Sequence, residues 1–338
     1  MKVIKRQAWI DNLRGIIIFL MVSGHIERAI NTSLASKNII FLVFDKLLYS
    51  FHMPVMFFLS GLLFKSSKDL YNGQLKKRVY LREIIKIIIK LYIPYLVWIY
   101  GYWTLKYFIY SGNEVVIVKD LLVLWYQPRW NLWFLPALCY IEILARTIDF
   151  YFCNTKFVLA FFILYAIIYS VFRPNGAIFL YTFYAVFFYY GFFLKMNYQR
   201  YSYTKIILAI LIVFVSISAT YTGAVYIGML MAGIGICYLL FGNRKFFNNR
   251  LLFFDLFGKY SLEIYVCHFM GASLIVKMLN LIFNNVYIIW FFGTIICVTY
   301  PLIVPVLYNK TPIFHCIKYL FHPYELFQRK VEKREQLI

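Results

Sequence analysis

The sequence predicts an all-α fold, a polytopic integral membrane protein of about ten transmembrane helices. Three observations carry this. First, 63% of the 338 residues are hydrophobic and the mean hydropathy is +0.71, whereas soluble domains are about 45–50% apolar. Second, apolar runs of about 20 residues recur along the chain, each long enough to cross a hydrocarbon core of about 30 Å. Third, the basic residues gather in alternate gaps between those runs. The formal charge of +21 therefore reports topology. Membrane lipid is an expected partner and nucleic acid is not.

The predicted spans are residues 10–30, 39–64, 84–109, 131–152, 156–172, 177–195, 205–221, 224–241, 260–282 and 286–308. The first is too long for a signal-peptide core and no small-x-small cleavage site follows it. Residues 115–126 are apolar but short and interrupted by Lys119-Asp120, so they are read as interfacial or re-entrant. The fifth and sixth spans are separated only by the turn Phe172-Arg173-Pro174-Asn175-Gly176. One membrane-embedded domain is expected over 1–338, with a short cytoplasmic tail from about 309 to 338.

The even-numbered loops and both ends carry most of the charge. Examples are Lys65, Lys76, Lys77, Arg78 and Arg82 in the second loop and Arg244, Lys245, Arg250 and Lys259 in the eighth. The odd-numbered loops hold only Arg28, Lys37, Lys119, Arg129 and Arg173. The positive-inside rule then places both termini in the cytoplasm. The cysteines (Cys139, Cys153, Cys237, Cys267, Cys297 and Cys316) form no CxxC pair and mostly sit in apolar runs. They are expected to be packing residues, and no metal site is expected.

Within the first span, "RGIIIFLMVSGH" opens on Arg14 and closes on His25. Eleven residues are about three helical turns, so the two share a face roughly 16 Å apart along the axis. Asp11 precedes Arg14 by one turn. Intramembrane ionisable residues are costly and mark functional sites. The competing reading has Arg14 snorkelling to the interface with Asp11 and His25 bonding a neighbouring helix.

The second span contributes "YSFHMPVMFFLSG", with His52 near its start and Ser60-Gly61 near its end. Before the third span, Arg78, Arg82, Lys86 and Lys90 recur every fourth residue, a basic stripe suited to a polyanionic phosphate ligand. Membrane anchoring is the alternative for that stripe. Glu142 lies in the fourth span, where it pairs with a base or lines a cavity. In the ninth, "GKYSLEIYVCH" puts Ser261, Tyr265 and His268 near one face.

These segments resemble the acyltransferase-3 family of membrane-bound acyltransferases. The marks are the Arg-x10-His pair of "RGIIIFLMVSGH", "FHMPVMFFLSG", the basic stretch leading to Ile93-Pro94-Tyr95, "LWFLPAL" and the late "YSLEIYVCH". The resemblance covers residues about 9–270 and is to members without a fused esterase-like domain. It implies transfer of an acyl group, usually acetyl, from cytoplasmic acyl-coenzyme A to sugars of exported or surface glycans, in the bacterial cytoplasmic (inner) membrane. It points to His25 and Arg14 as catalytic. It matches the family's paired arginines before the third span with Arg78 and Arg82, and Lys86 extends that donor-binding set. Asp11, His52, Ser60, Glu142, Tyr265 and His268 are expected to line the site. Acetyl-coenzyme A is then a substrate, a carbohydrate is the acceptor, and no permanently bound cofactor is expected. A glycan transporter or flippase, or a non-catalytic member of a polysaccharide synthesis complex, would also use intramembrane His, Arg and Glu.

Overall fold

The computed structural model describes residues 7–34, 38–66, 70, 76–109, 118–129, 131–152, 154–197, 203–221, 223–249 and 251–328. Lys2, Lys5, Arg6, Lys37, Lys68, Cys153, Arg200, Arg250, residues 115–117 of the interfacial segment and residues 329–338 of the tail lie outside this set. Among the described residues there are helices and no strands. The helices are α1 (Ala8–Ser33), α2 (Ile39–Leu63), α3 (Lys76–Ile87), α4 (Ile93–Ile109), α5 (Phe134–Tyr151), α6 (Thr155–Phe172) and α7 (Ala177–Met196). They continue with α8 (Tyr203–Tyr221), α9 (Val225–Gly242), α10 (Leu252–Lys259), α11 (Ser261–Asn280), α12 (Val286–Thr299), α13 (Ile303–Lys310) and α14 (His315–Phe321).

Every predicted span falls on a helix or on a broken helix. Seven helical stretches are long and apolar enough to cross a membrane. The chain is a multi-pass membrane protein. The third span is broken by a π-helical turn, Ile88–Tyr92, between α3 and α4. Pro94 has no N–H to give the Lys90 carbonyl, and the wider turn adjusts the ladder next to it, with Ile93 N–H bonding Ile88 O. The tenth is interrupted by the 3₁₀ turn Tyr300–Leu302 around Pro301.

The helices form two compact units. The first comprises Met1–Phe64 and Asn154–Leu302, and the second Lys65–Cys153 and Ile303–Ile338.

In the first unit, α1 packs against α2, α10, α11 and α12, and α2 against α7 and α9. Apolar side chains gain little by leaving lipid, so close backbone packing must hold these helices together. Glycines supply it in reciprocal pairs. A Cβ on Gly61 would overlap the Phe188 carbonyl, and one on Gly191 the Phe58 carbonyl, so α2 and α7 meet backbone to backbone. Gly15 and Gly258 do the same for α1 and α10, against Phe254 O and Asp11 O. The exposed apolar side chains of α6 and α8, such as Phe157, Leu164, Leu208 and Phe214, suit contact with lipid.

Polar contacts in this unit join loop ends of matching parity. The Asn12 amide at the start of the first span donates to Phe247 O (2.7 Å) and Asn249 O (2.8 Å) in the eighth loop. Lys195, at the end of the sixth span, donates to Phe64 O at the end of the second (2.6 Å). Arg173 reaches Gly223 O (3.1 Å), joining loops five and seven, and Asn38 reaches the Tyr287 hydroxyl (2.8 Å), joining one and nine. This grouping matches the alternation of the basic residues.

In the second unit, tyrosines above and below Pro94 hold the short segment before α5. Tyr92 donates to Trp125 O (2.6 Å), Tyr95 to Leu124 O and Tyr100 to Leu121 O (3.1 Å). The segment begins with a 3₁₀ turn, Val118–Leu122, whose Asp120 pairs with Arg129 at 2.8 Å. Irregular backbone near lipid needs such partners for its carbonyls. The C-terminal part of this unit docks on α4 through Phe321 and Trp98, with ring centroids 4.6 Å apart.

Candidate active site

The first unit gathers three histidines from three helices. His25 of α1 is half-buried, and His52 of α2 and His268 of α11 are 2% and 1% exposed. The His25 and His268 rings stack with centroids 5.2 Å apart and an interplanar angle of 30°. Phe269 meets both edge-on. His52 lies within electrostatic reach of His25.

Local hydrogen bonds set the tautomers of two of these rings. Nδ1 of His268 is 2.9 Å from Ile264 O, and Nδ1 of His52 is 2.8 Å from Leu48 O. A carbonyl only accepts, so each Nδ1 donates, and each neutral ring keeps its lone pair on Nε2. Nε2 of His268 is buried and has no hydrogen-bond partner among the described residues. His25 is the most accessible of the three.

The neighbourhood towards the end of α1 was not legible as a site in the sequence. Arg28, read as a loop cation, lies in α1 and forks onto Asp45 of α2, with Nε–Oδ1 at 2.8 Å and Nη2–Oδ2 at 3.2 Å. Its guanidinium also lies over the Tyr49 ring, 3.6 Å from the centroid, and Tyr49 meets His52 edge-on at 4.5 Å. Glu27, 1% exposed, accepts from the Asn31 amide. Arg28 and Asp45 are partly exposed, so their value is in orientation more than in stability, where such pairs contribute about 0.2–1 kcal/mol. The signal available was Arg28 and Asp45 flanking one hairpin of helices.

Other predicted residues of this unit lie at differing distances from the histidines. Arg14 and His25 share one unbroken helix, hence roughly 16 Å between them along the axis. Arg14 faces Asp11 at 4.0 Å, the pairing expected from their i,i+3 spacing. Ser60 donates to Met56 O within its own helix (3.0 Å). Tyr265 is buried, its ring 6.4 Å from that of His268. Ser23 O accepts from the Trp290 indole at 3.1 Å, which fixes α12 beside the turn that carries His25.

The second unit carries the basic stripe. Arg78 and Arg82 of α3 are exposed and have no carboxylate partner among the described residues. Lys86 is tied to Glu83 at 3.2 Å. Lys90, on the π turn, is exposed, and Glu142 of α5 is within electrostatic reach of Lys86, Lys90 and Arg146. Arg146 is buried in α5, donates to Lys65 O (2.8 Å) and lies 3.8 Å from Asp149. Glu142 therefore sits among cations of its own unit. Among the described residues no group of three or more His, Cys, Asp or Glu side chains is arranged to hold a metal ion.

A family model described as an acyltransferase domain matches residues 7–308. The protein belongs to the acyltransferase-3 family. Curated proteins and solved structures give no match. In this acyltransferase the matched stretch holds both the histidine cluster and the basic stripe, and it ends before α14.

Proposed function

We propose that this acyltransferase moves an acetyl group from cytoplasmic acetyl-coenzyme A to a sugar hydroxyl of an exported or surface polysaccharide, in the bacterial inner membrane with both termini cytoplasmic. The observation that carries the reading is His25, a half-buried imidazole stacked on the buried His268 ring inside an apolar unit. A neutral imidazole is suited to take a hydroxyl proton near pH 7. In the step proposed, the acceptor O–H gives its proton to His25 and its oxygen attacks the thioester carbonyl. The C–S bond breaks, and the departing coenzyme A thiolate recovers the proton. Acetyl-coenzyme A is consumed as a substrate and no resident cofactor takes part.

The stripe supports the same donor. Arg78 and Arg82 offer planar, permanently charged groups to phosphate oxygens, and Lys86 adds a point charge. Arg14, between the cytoplasmic end of α1 and His25, holds the donor or fixes the helix. The test is incubation of inverted membrane vesicles with acetyl-labelled coenzyme A. Alkali-labile label in the saccharide fraction is expected. A protein that moves saccharide across the vesicle membrane but transfers no label is a transporter, and the proposal fails.

A further inference from the structure

The segment after α14 lies outside the residues matched to the acyltransferase domain, and nothing so far gives it a task. Its placement is specific. Phe321, 1% exposed, packs on Trp98 of α4 and anchors the segment. Lys318 and Glu325 close it on itself at 2.6 Å. Tyr324 then lies beside the basic stripe, with Lys90 Nζ 4.8 Å and Lys86 Nζ 5.9 Å from its ring centroid. The ring of Phe327 stacks alongside at 6.2 Å. All of these residues belong to the second unit.

We infer that Tyr324 completes the donor site, its ring taking the nucleobase of the acyl donor while Lys86 and Lys90 take the phosphates. The inference rests on the proposed acetyl-coenzyme A reading. A purine nucleotide needs a flat apolar face next to cations, and base–aromatic stacking is indifferent to which edge the base presents. Tyr324 supplies the face at the point where the stripe enters the π turn. Without donor, the same ring holds the two ammonium groups by cation–π attraction. Lysine stems are flexible and their heads are point charges. They can swing from the ring to phosphate oxygens and leave the face to the base. Glu83 and Glu142 face the same lysines. They keep this group from being a uniformly positive sink, so the neighbouring Arg78 and Arg82 and the stacking face are needed for a tight donor site.

The alternative role for Tyr324 is a cover that occupies the lysines, and the two roles have opposite signs. The test is equilibrium binding of coenzyme A and of pantetheine, which lacks the adenine nucleotide, to the full chain in detergent. Tyr324→Ala is expected to weaken coenzyme A binding roughly tenfold, the order of one lost stacking contact, and to leave pantetheine unchanged. Tyr324→Phe is expected to retain wild-type affinity for both. Unchanged or tighter coenzyme A binding by Tyr324→Ala overturns the inference. A second measurement uses wild-type protein and coenzyme A carrying a photoreactive 8-azidoadenine. Cross-linking within residues 315–328 supports the assignment, and cross-linking only elsewhere refutes it. Wild-type protein that binds no coenzyme A removes the acetyl-coenzyme A reading as well. Wild-type binding with an indifferent Tyr324 removes only this inference.

Discussion

The two units handle polar groups in opposite ways. In the first, the polar groups around His25 are few and mostly buried, and many are held by backbone carbonyls of their own helices. His52 and His268 are oriented by Leu48 O and Ile264 O, and glycine pairs lock the surrounding helices. In the second, Arg146 is buried, but the stripe's Arg78, Arg82 and Lys90 are exposed, long-stemmed and set along α3 and a π turn. On the proposed function the contrast separates two tasks. Proton transfer needs a fixed ring in a dry setting, because a small misplacement is costly in rate. Holding a flexible polyphosphate needs charge and reach more than rigid placement.

The largest effect expected is on the first side of that comparison. His25→Ala should lower acyl transfer by about 10²–10⁴-fold, the usual contribution of a general base, while the protein still inserts and binds donor. His52→Ala should cost less, since its ring is buried behind Tyr49. Equal losses for both would dissolve the distinction between an accessible base and its surroundings.

On the second side, Arg78→Ala and Arg82→Ala should each weaken acetyl-coenzyme A binding by roughly tenfold or more, from charge-assisted contacts of about 1.5–3 kcal/mol. Titration of the purified variants checks this. Unaltered donor affinity in folded protein would return the stripe to membrane anchoring.

Gly61→Ala sharpens the comparison from the structural side. The added Cβ meets the Phe188 carbonyl, which cannot move without shifting α7. Overpacking of this kind costs about 1–3 kcal/mol, so the melting temperature in detergent should fall by several degrees. Gly101 of α4 has open space around it, and Gly101→Ala should leave the melting temperature nearly unchanged. Among the charged residues the smallest effect expected is that of Arg14→Lys, a several-fold loss of activity if the planar fork holds a ligand. Wild-type activity would make Arg14 an anchor paired with Asp11.

Local signals made most of the fold legible. The ten apolar runs fall on helices because a membrane span must satisfy its backbone internally and is therefore written as one long apolar segment. The short helix α10 escaped because eight residues do not make a span. The π turn escaped too, although Pro94 marked its place. The site was legible only as a set of expensive residues. His25, His52 and His268 stand out because each is costly in an apolar run, yet nothing in their spacing sets His268 against His25. Arg28 and Asp45 were missed for the converse reason. Near helix ends a charge looks affordable, and only the packing of α1 on α2 brings the two together. Ser60 and Glu142 drew notice as polar residues in spans. In the structure the first donates to Met56 O, and the second has Lys86, Lys90 and Arg146 within electrostatic reach.

The most direct test of the central claim is a steady-state comparison of His25→Ala with the Arg78→Ala/Arg82→Ala double variant, using labelled acetyl-coenzyme A over a full range of concentrations. The account predicts that His25→Ala loses kcat while its donor dissociation constant, measured by binding, stays at the wild-type value. It predicts that the double variant shows a raised donor KM with kcat largely retained at saturation. A His25→Ala protein that transfers acetyl at the wild-type rate would contradict the account, leaving the histidine cluster as scaffold.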